Sequence, residues 1–296
     1  IDLTKATIES LPENFFYERA ALLDIKLPAT LKSIGRYAFY RCHGLTQITI
    51  PEGVTIVGDY AFNECISLKE IELPTTLTDI KNGAFQNCWS LASIQIPDNV
   101  TTISQSSFYH CTSLIQVKFP AKLQSISNSA FQECSALTKI NLPKGLLTIG
   151  SNAFYQCSAL EEISFPSTLS SLGSNAFYRC TNLTEITLPA SLTYCYRPFY
   201  ECHNIKKVTC LASVPPTLEN NYDILYGVDK SSAELAVPFW SVNSYKLAPG
   251  WDAFPTINPL DYETDLINVP GELVIAADIR FKNNPTVSVF DNGRLT

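Results

Sequence analysis

The chain has 296 residues, of which 46% are hydrophobic and 17% charged, so it can bury a substantial core and is not disordered. Its formal charge of −7 and the lack of a Lys/Arg run argue against nucleic-acid binding and against docking on anionic lipid. No stretch of 18 apolar residues occurs, so direct membrane insertion is not expected. Met is absent, even at position 1, and we expect a mature or trimmed piece whose export signal or anchor lies outside it.

The first predicted elements are short strands. Leu45, Ile48 and Ile50 alternate with polar residues, and the same triplet returns every 23 residues as far as Leu188. Alternation with period two predicts a strand with one buried face. Pro51 follows the strand and has counterparts from Pro28 to Pro189, and proline ends a strand because it cannot donate to the ladder.

The second half of each repeat carries apolar residues spaced by three and four, which predicts a short helical or 3-10 turn. Val54 and Val57 are followed by Ala61, Phe62 and Cys65. The cysteines form one column at Cys42, Cys65, Cys88, Cys111, Cys134, Cys157, Cys180 and Cys202. A fixed period of this length predicts a solenoid whose coils bury their apolar sides only by stacking.

Disulfides and zinc are not expected at this column. Neighbouring coils lie ~5 Å apart, but their side chains run parallel and do not meet as a disulfide requires. No pair of cysteines has the close spacing of a zinc site. We therefore predict no metal and no cofactor, and a stack of buried free thiols that act as small hydrophobic residues. Cys195 and Cys210 occupy other core positions of the repeat.

The I-x-I-P and A-F-x-x-C blocks resemble the BspA-like leucine-rich repeats, over about residues 1–210. The resemblance implies an α/β solenoid, a right-handed superhelix with a parallel β-sheet on one face and short helical or 3-10 turns on the other. We expect about nine coils over 1–210, a small, mainly-β C-terminal cap over 211–257, and a β appendage or the start of a truncated domain over 258–296.

The segment from Ala233 to Ile257 resembles the one that often follows such arrays, with a strand ending at V-P, a short S-V-x-x-Y-K helix and a P-G-W turn. Its aromatic residues are expected to plug the open end of the solenoid, with a carbohydrate-stacking platform as the alternative. They are Trp240, Tyr245 and Trp251. Further on, Leu273–Ile275, Ile279–Phe281 and Val287–Phe290 are strand-like, and Asp291-Asn292-Gly293 is a hairpin turn signal. The carboxylates of Asp261, Glu263 and Asp265 are close in sequence but lack the spacing of an EF-hand.

Catalytic motifs are absent from the sequence. His43 and His203 follow a cysteine and His110 precedes one, but adjacent residues on a turn do not face each other as a catalytic dyad would. No nucleophile elbow, zinc-protease, Walker or dinucleotide motif occurs. We predict that the protein is not an enzyme.

Two surfaces remain as candidate binding sites. The first is the outward side of the strands, which is polar and differs from coil to coil: Gln47, Glu70, Glu72, Gln95, Gln116, Lys118, Lys139, Asn141, Glu162, Glu185 and Lys207. The second is a tyrosine stripe after the phenylalanine column: Tyr40, Tyr109, Tyr155, Tyr178 and Tyr200. In the alternative interpretation, these are a merely soluble sheet face and rings that cover the outer turns.

The resemblance also implies a function and a location. Members of the family are exported, surface-displayed bacterial proteins associated with adhesion to host proteins or to other cells. We therefore expect a secreted or cell-surface binding module for an extracellular protein or glycan, on host matrix or another cell surface. The alternative is a structural spacer that displays another domain.

Overall fold

The computed structural model describes residues 1–192, 196–218 and 224–260, together with the backbone strands Val289–Phe290 and Arg294–Leu295. The chain forms a β-solenoid of about 11 parallel-stacked turns, which confirms the predicted solenoid.

One side of the solenoid carries the predicted strands, here called the face-strand column. Neighbouring strands pair in parallel within three successive sheets, as in Gln47↔Glu70 and Ile48↔Ile71. Ile48 is buried while Gln47 is exposed, so the alternation in the sequence orients every strand. The strands are Gln47–Thr49, Glu70–Glu72, Ser93–Gln95, Gln116–Lys118, Lys139–Ile140, Glu162–Ser164, Glu185–Leu188, Lys207–Cys210, Glu234–Val237 and Thr256–Pro259.

A second column of parallel strands, the short-strand column, was not expected from the sequence. It contains two residues per coil, for example Ser33↔Ile56 and Ile34↔Val57. The inward member, such as Val57, is a core residue. The strands are Ser10–Leu11, Ser33–Ile34, Ile56–Val57, Asp79–Ile80, Thr102–Ile103, Ser125–Ile126, Thr148–Ile149 and Ser171–Leu172.

The expected helical or 3-10 turns are not formed in the described coils, and consecutive β-turns take their place. The N–H of Cys42 donates to the carbonyl of Phe39 within its coil, but the N–H of Phe39 donates to Ala61 of the next coil at 2.7 Å. Tyr37 and Arg41 have φ of 53° and 55°, which a right-handed helix does not allow. The alternate bonds therefore join coils along the stack, and we call this region the tandem turns.

The core is built from columns that run through every coil. Phe39, Phe62 and Phe85 are fully buried, and their rings stack with centroids 4.9 and 5.3 Å apart. Phe16 extends the ladder at the N-terminal end by stacking on Phe39 at 5.2 Å, and Phe199 ends it on Phe177 at 5.7 Å. Each ring therefore excludes water from its neighbours on both sides.

The sheet continues past the end of the regular repeat. Glu234–Val237 pairs with Lys207–Cys210, and Thr256–Pro259 pairs with Glu234–Val237, all in parallel. The predicted strand before V-P and the predicted helix are present, the helix at Val242–Leu247. The C-terminal part is therefore not only β, and 3-10 turns add to it at Lys230–Ser232 and Phe239–Ser241.

Two of the three predicted plug aromatics are buried. Trp251 donates from Nε1 to the Pro216 carbonyl at 2.7 Å, and the Tyr245 hydroxyl donates to the Ala212 carbonyl at 2.9 Å. Trp240, in contrast, is 43% exposed.

Beyond Leu260, the described residues are two strands that pair antiparallel, Val289↔Leu295 and Phe290↔Arg294, as a hairpin requires. The other residues singled out from the sequence in this segment, including Asp261, Leu273–Ile275 and Asp291–Gly293, lie outside the described residues, as does Cys195.

Candidate functional site

The outward residues of the face-strand column form two rows in register. Gln116 lies opposite Lys139, and Glu185 lies opposite both Glu162 and Lys207. The structure places every predicted face residue at an exposed position: Gln47, Glu70, Glu72, Gln95, Gln116, Lys118, Lys139, Asn141, Glu162, Glu185 and Lys207. The rows therefore present one continuous polar surface.

One of the two rows becomes covered towards its C-terminal end. Ser164 and Thr187 are half-buried, and Thr209 in the same row is buried. Both rows are therefore open from Gln47 to Asn141, and from there to Thr209 only the row of Glu162, Glu185 and Lys207 stays exposed.

Several charges on this face pair with one another. Lys139 Nζ lies 2.8 Å from Glu162 Oε1, and Lys207 Nζ lies 3.9 Å from Glu185 Oε2. The Glu162 carboxylate raises the pKa of Lys139. Lys118, in contrast, forms no ion pair with any residue that the structure describes. Of the two neighbouring lysines Lys118 and Lys139, Lys118 therefore retains an uncompensated charge.

Two exposed apolar residues precede the neighbouring strands Ser93–Gln95 and Gln116–Lys118, and sequence reasoning missed them. Trp89 and Ile115 are 44% and 53% exposed. The N–H of Ser113 donates to the carbonyl of Trp89, which holds the two coils together just before the strand Gln116–Lys118. The only signal in the sequence was that Trp89 and Ile115 replace mostly polar residues at their repeat positions.

In the predicted tyrosine stripe, three hydroxyls donate hydrogen bonds to glutamate side chains of the protein itself. The hydroxyl of Tyr40 donates to Glu64 at 3.3 Å, that of Tyr109 to Glu133 at 3.2 Å, and that of Tyr178 to Glu201 at 2.9 Å. Burial, followed by the Glu64 carboxylate, raises the pKa of Tyr40, and the hydrogen bond to Glu201 raises that of Tyr178.

The rings of the stripe also stack on other tyrosines. Tyr155 and Tyr178 are parallel at 4.7 Å, and Tyr200 lies 5.4 Å from Tyr178 and 5.2 Å from Tyr226. These half-buried rings cover the outer turns, which agrees with the structural interpretation of the stripe.

The residue before each cysteine forms a ladder of charged and polar groups that the sequence analysis missed. Arg41 pairs with Glu18 at 3.1 Å and with Glu64 at 2.9 Å, and Arg179 pairs with Glu201. Every member of the column has a positive φ: Glu18, Arg41, Glu64, Asn87, His110, Glu133, Gln156, Arg179 and Glu201. The ladder links neighbouring coils on the outside of the tandem turns.

The cysteine column consists of free, buried thiols, and each one also donates a hydrogen bond. Cys65 Sγ lies 3.1 Å from the Phe39 carbonyl, and the same contact recurs along the column up to Cys202 and Phe177 at 3.0 Å. Burial raises the pKa of Cys111 to about 12. Such thiols are unreactive, and their role is structural.

Among the described contacts, His110 and Cys111 do not bond to each other as a catalytic dyad would. His110 Nδ1 lies 3.2 Å from Asn87 Oδ1, whereas the Cys111 thiol donates to the Phe85 carbonyl. Within the described ranges, no helix is long and apolar enough to cross a membrane. Over the same residues, no three metal-binding side chains cluster.

Comparison with known proteins places this geometry among bacterial repeat proteins. The family model described as "BspA type Leucine rich repeat region" matches residues 9–137 and 101–221. A leucine-rich repeat protein from Bacteroides ovatus is 28% identical, with a TM-score of 0.61, over 86% of this chain and 77% of its own. A leucine-rich repeat protein of T. pallidum is 34% identical, with a TM-score of 0.50, over 53% of this chain and 72% of its own. No curated protein sequence matches significantly.

Proposed function

Because the chain belongs to the BspA-type leucine-rich repeat family, we propose that it is a non-enzymatic recognition module that binds an extracellular protein through its face-strand column. Leucine-rich repeat scaffolds are commonly used for protein recognition. They offer an extended surface whose side chains can change while the core stays constant.

The observation that carries the proposal is the uncompensated Lys118, together with the exposed apolar residues Trp89 and Ile115 that precede the same two neighbouring strands. Interfaces concentrate their binding energy in a few anchors, among which Trp is strongly enriched, surrounded by polar residues. Here Lys118 lies opposite Gln95 of the neighbouring strand, and both residues are open to solvent.

A location outside the cell follows from the same proposal. We propose that the protein is secreted or displayed on the surface of a bacterium, where its partner is a host matrix component or another cell surface. The two similar structures with high coverage of their own chains both come from bacteria.

A structural spacer is the second candidate, and the paired charges favour it. Lys139 and Lys207 are engaged by Glu162 and Glu185, and the tyrosine hydroxyls by glutamates. A rod whose side chains bind one another is suited to holding a neighbouring domain at a fixed distance.

The test is binding of the protein to immobilised matrix proteins and mucins, measured by biolayer interferometry. The variants are Trp89→Ala and Lys118→Glu/Lys139→Glu. The matched control is Lys122→Glu/Lys144→Glu, which makes the same charge change on the same two coils at exposed positions outside the strands.

Saturable binding that falls by roughly ten-fold or more in both face variants, but not in the control, would support recognition by the face, since anchor residues cost more than 1 kcal/mol when truncated. Equal losses in the control would show a non-specific charge effect and contradict the assignment. No binding by the parent protein would favour the spacer.

A further inference from the structure

A polar groove runs along the short-strand column, away from the surface proposed for protein recognition. It encloses about 570 Å³ and extends along the stack from Asn82 to Gly173. None of its lining residues belongs to the face-strand column. At one repeat position the lining is Ser104, Ser127, Gly150 and Gly173. A Cβ at Gly150 or Gly173 would lie 2.6 or 2.2 Å from backbone nitrogens of the preceding coil, so the glycines allow close approach of the coils under the groove.

No charged residue of the described chain lines the groove, whereas the coil just before it carries charged residues at the same repeat positions. Lys81 occupies the repeat position of Ser104 one coil earlier, where it pairs with Asp79. Asp59 likewise precedes Asn82 in the neighbouring row, which continues as the amides of Gln105 and Asn128. The charged residues of the early coils are thus replaced by amides and hydroxyls along the whole groove.

Part of the polar lining is held in place and part is available to a ligand. Ser125 accepts a hydrogen bond from Thr148 at 2.8 Å, and Asn128 Oδ1 accepts one from the N–H of Ser151 at 2.9 Å. The hydroxyls of Ser104 and Ser127 and the amide of Gln105 form no hydrogen bond with another residue in the part of the chain that the structure describes. The groove therefore presents fixed walls together with free donors and acceptors.

This chemistry selects one class of ligand. A phosphate, a nucleic acid or an acidic glycan would require cations, which the lining lacks. A peptide would require exposed apolar or aromatic pockets for its anchors, whereas no aromatic residue lines the groove and its two isoleucines, Ile126 and Ile149, are buried. Groups that both donate and accept hydrogen bonds without charge are complementary to the hydroxyls of a neutral sugar.

The repeat adds a geometric argument. The lining groups recur once per coil, at the strand spacing of ~4.8 Å. A polymer with a regular repeat that lies along the stack can therefore make the same contact on several coils, so that weak individual contacts add up. We propose that the polar groove binds an extended, neutral glycan chain.

The test is affinity electrophoresis in native gels that contain a neutral β-glucan or a galactomannan, with polygalacturonate as the charged comparison. The variant is Ser104→Lys/Ser127→Lys, which fills the groove at a position where Lys81 shows that lysine fits the fold. The matched control is Ala121→Lys/Ser167→Lys, which adds the same charge at exposed positions outside the groove and the face strands, where Lys144 occupies the same repeat position. Circular dichroism and a melting curve confirm that each variant folds.

We expect a neutral polymer to retard the parent protein and the control. Its affinity for the groove variant should fall by roughly ten-fold or more, because two hydrogen-bonding hydroxyls are lost. Lack of retardation by either neutral polymer would overturn the proposal, as would equal binding by the folded groove variant. Binding only to polygalacturonate would also overturn it. The recognition proposal is tested separately, because Lys118→Glu/Lys139→Glu leaves the groove intact. If the groove variant instead lost binding to a protein partner, the groove would be assigned to that protein and the glycan proposal would be overturned.

Discussion

The tandem turns and the face-strand column are made by the same repeat, yet they differ in what each residue contacts. In the tandem turns, a phenylalanine ring, a thiol and alternate N–H groups of every coil all contact the next coil. On the face, the outward side chains point to solvent, and only a few of them pair. The tandem turns, which contact the coils on both sides, carry the same phenylalanine and cysteine in successive repeats. The outward residues of the face-strand column differ from coil to coil.

The comparison separates stability from recognition. A change in the tandem turns disturbs two neighbouring interfaces, because each coil is stabilised by the coils on either side. A change on the face removes a solvated group and is expected to alter binding with little effect on folding. The following predictions test this division, from the largest expected effect to the smallest.

Raising the pH above 9 should weaken the fold most. Burial raises the pKa of Cys111 from 9.0 to about 12 and holds that of Cys65 and Cys134 well above 9.0. The unfolded thiols lose protons that the folded ones keep, so the stabilisation is complete below pH 9 and is lost as the pH rises, by about 1.4 kcal/mol per thiol per pH unit. Urea denaturation under reducing conditions at pH 8, 9.5 and 10.5 measures this loss.

The control for the pH effect is Cys111→Ala, which removes one titrating thiol from the middle of the column. The slope of the free energy of unfolding against pH should become shallower by about 1.4 kcal/mol per pH unit, the contribution of a single thiol. An unchanged slope would mean that Cys111 binds the same number of protons in the folded and unfolded states, and would contradict burial of the thiols as the cause of the pH effect.

Removing one ring from the phenylalanine ladder should have the next largest effect. Phe108 is fully buried and stacks at 5.4 Å on Phe85 and at 5.2 Å on Phe131. Phe108→Ala should lower the free energy of unfolding by ~3–5 kcal/mol through lost burial and a cavity. Gln116→Ala, exposed on the face, should change it by less than ~0.5 kcal/mol. Similar urea midpoints for the two variants would contradict the view that the tandem turns, and not the face, determine stability.

A glycine should have opposite effects on the two sides. Ser106 has φ of 53°, and Gly83 occupies the same repeat position with φ of 59°. Ser106→Gly should therefore stabilise the fold by about 0.5 kcal/mol, because a left-handed conformation is costly for residues with a Cβ. Ser93→Gly in an extended face strand should destabilise it by about 0.5–1 kcal/mol. Melting curves of the two variants decide the matter, and effects of the same sign would refute the assignment of left-handed turns.

The positions that sequence reasoning located correctly are those with one dominant environment. Phe62 and Cys65 recur unchanged because only an apolar side chain of the right size fits a fully buried site, and both are 0% exposed. The outward residues from Gln47 to Lys207 follow from strand alternation alone. The solenoid and its exposed face were therefore predictable from a single sequence.

The features that were missed depend on backbone angles or on contacts between coils. Spacings of three and four fit a helix and the tandem turns equally well, and the hint was residues such as Gly83, Asn87 and Asn152 that tolerate a left-handed conformation. Two-residue strands are too short to show an alternation. The Arg41–Glu64 pair and the polar groove become visible only when the coils are aligned column by column.

The exchange of hydrogen bonds between successive tandem turns has an evolutionary consequence. Since Phe39 donates to Ala61 and Phe62 donates to Ala84 in the same way, any internal unit of 23 residues can be duplicated or deleted in the gene without leaving a mismatched junction. The length of the solenoid then changes by ~4.8 Å for each repeat that is added or removed. Unequal recombination is thus a direct route to longer or shorter descendants that keep the same solenoid.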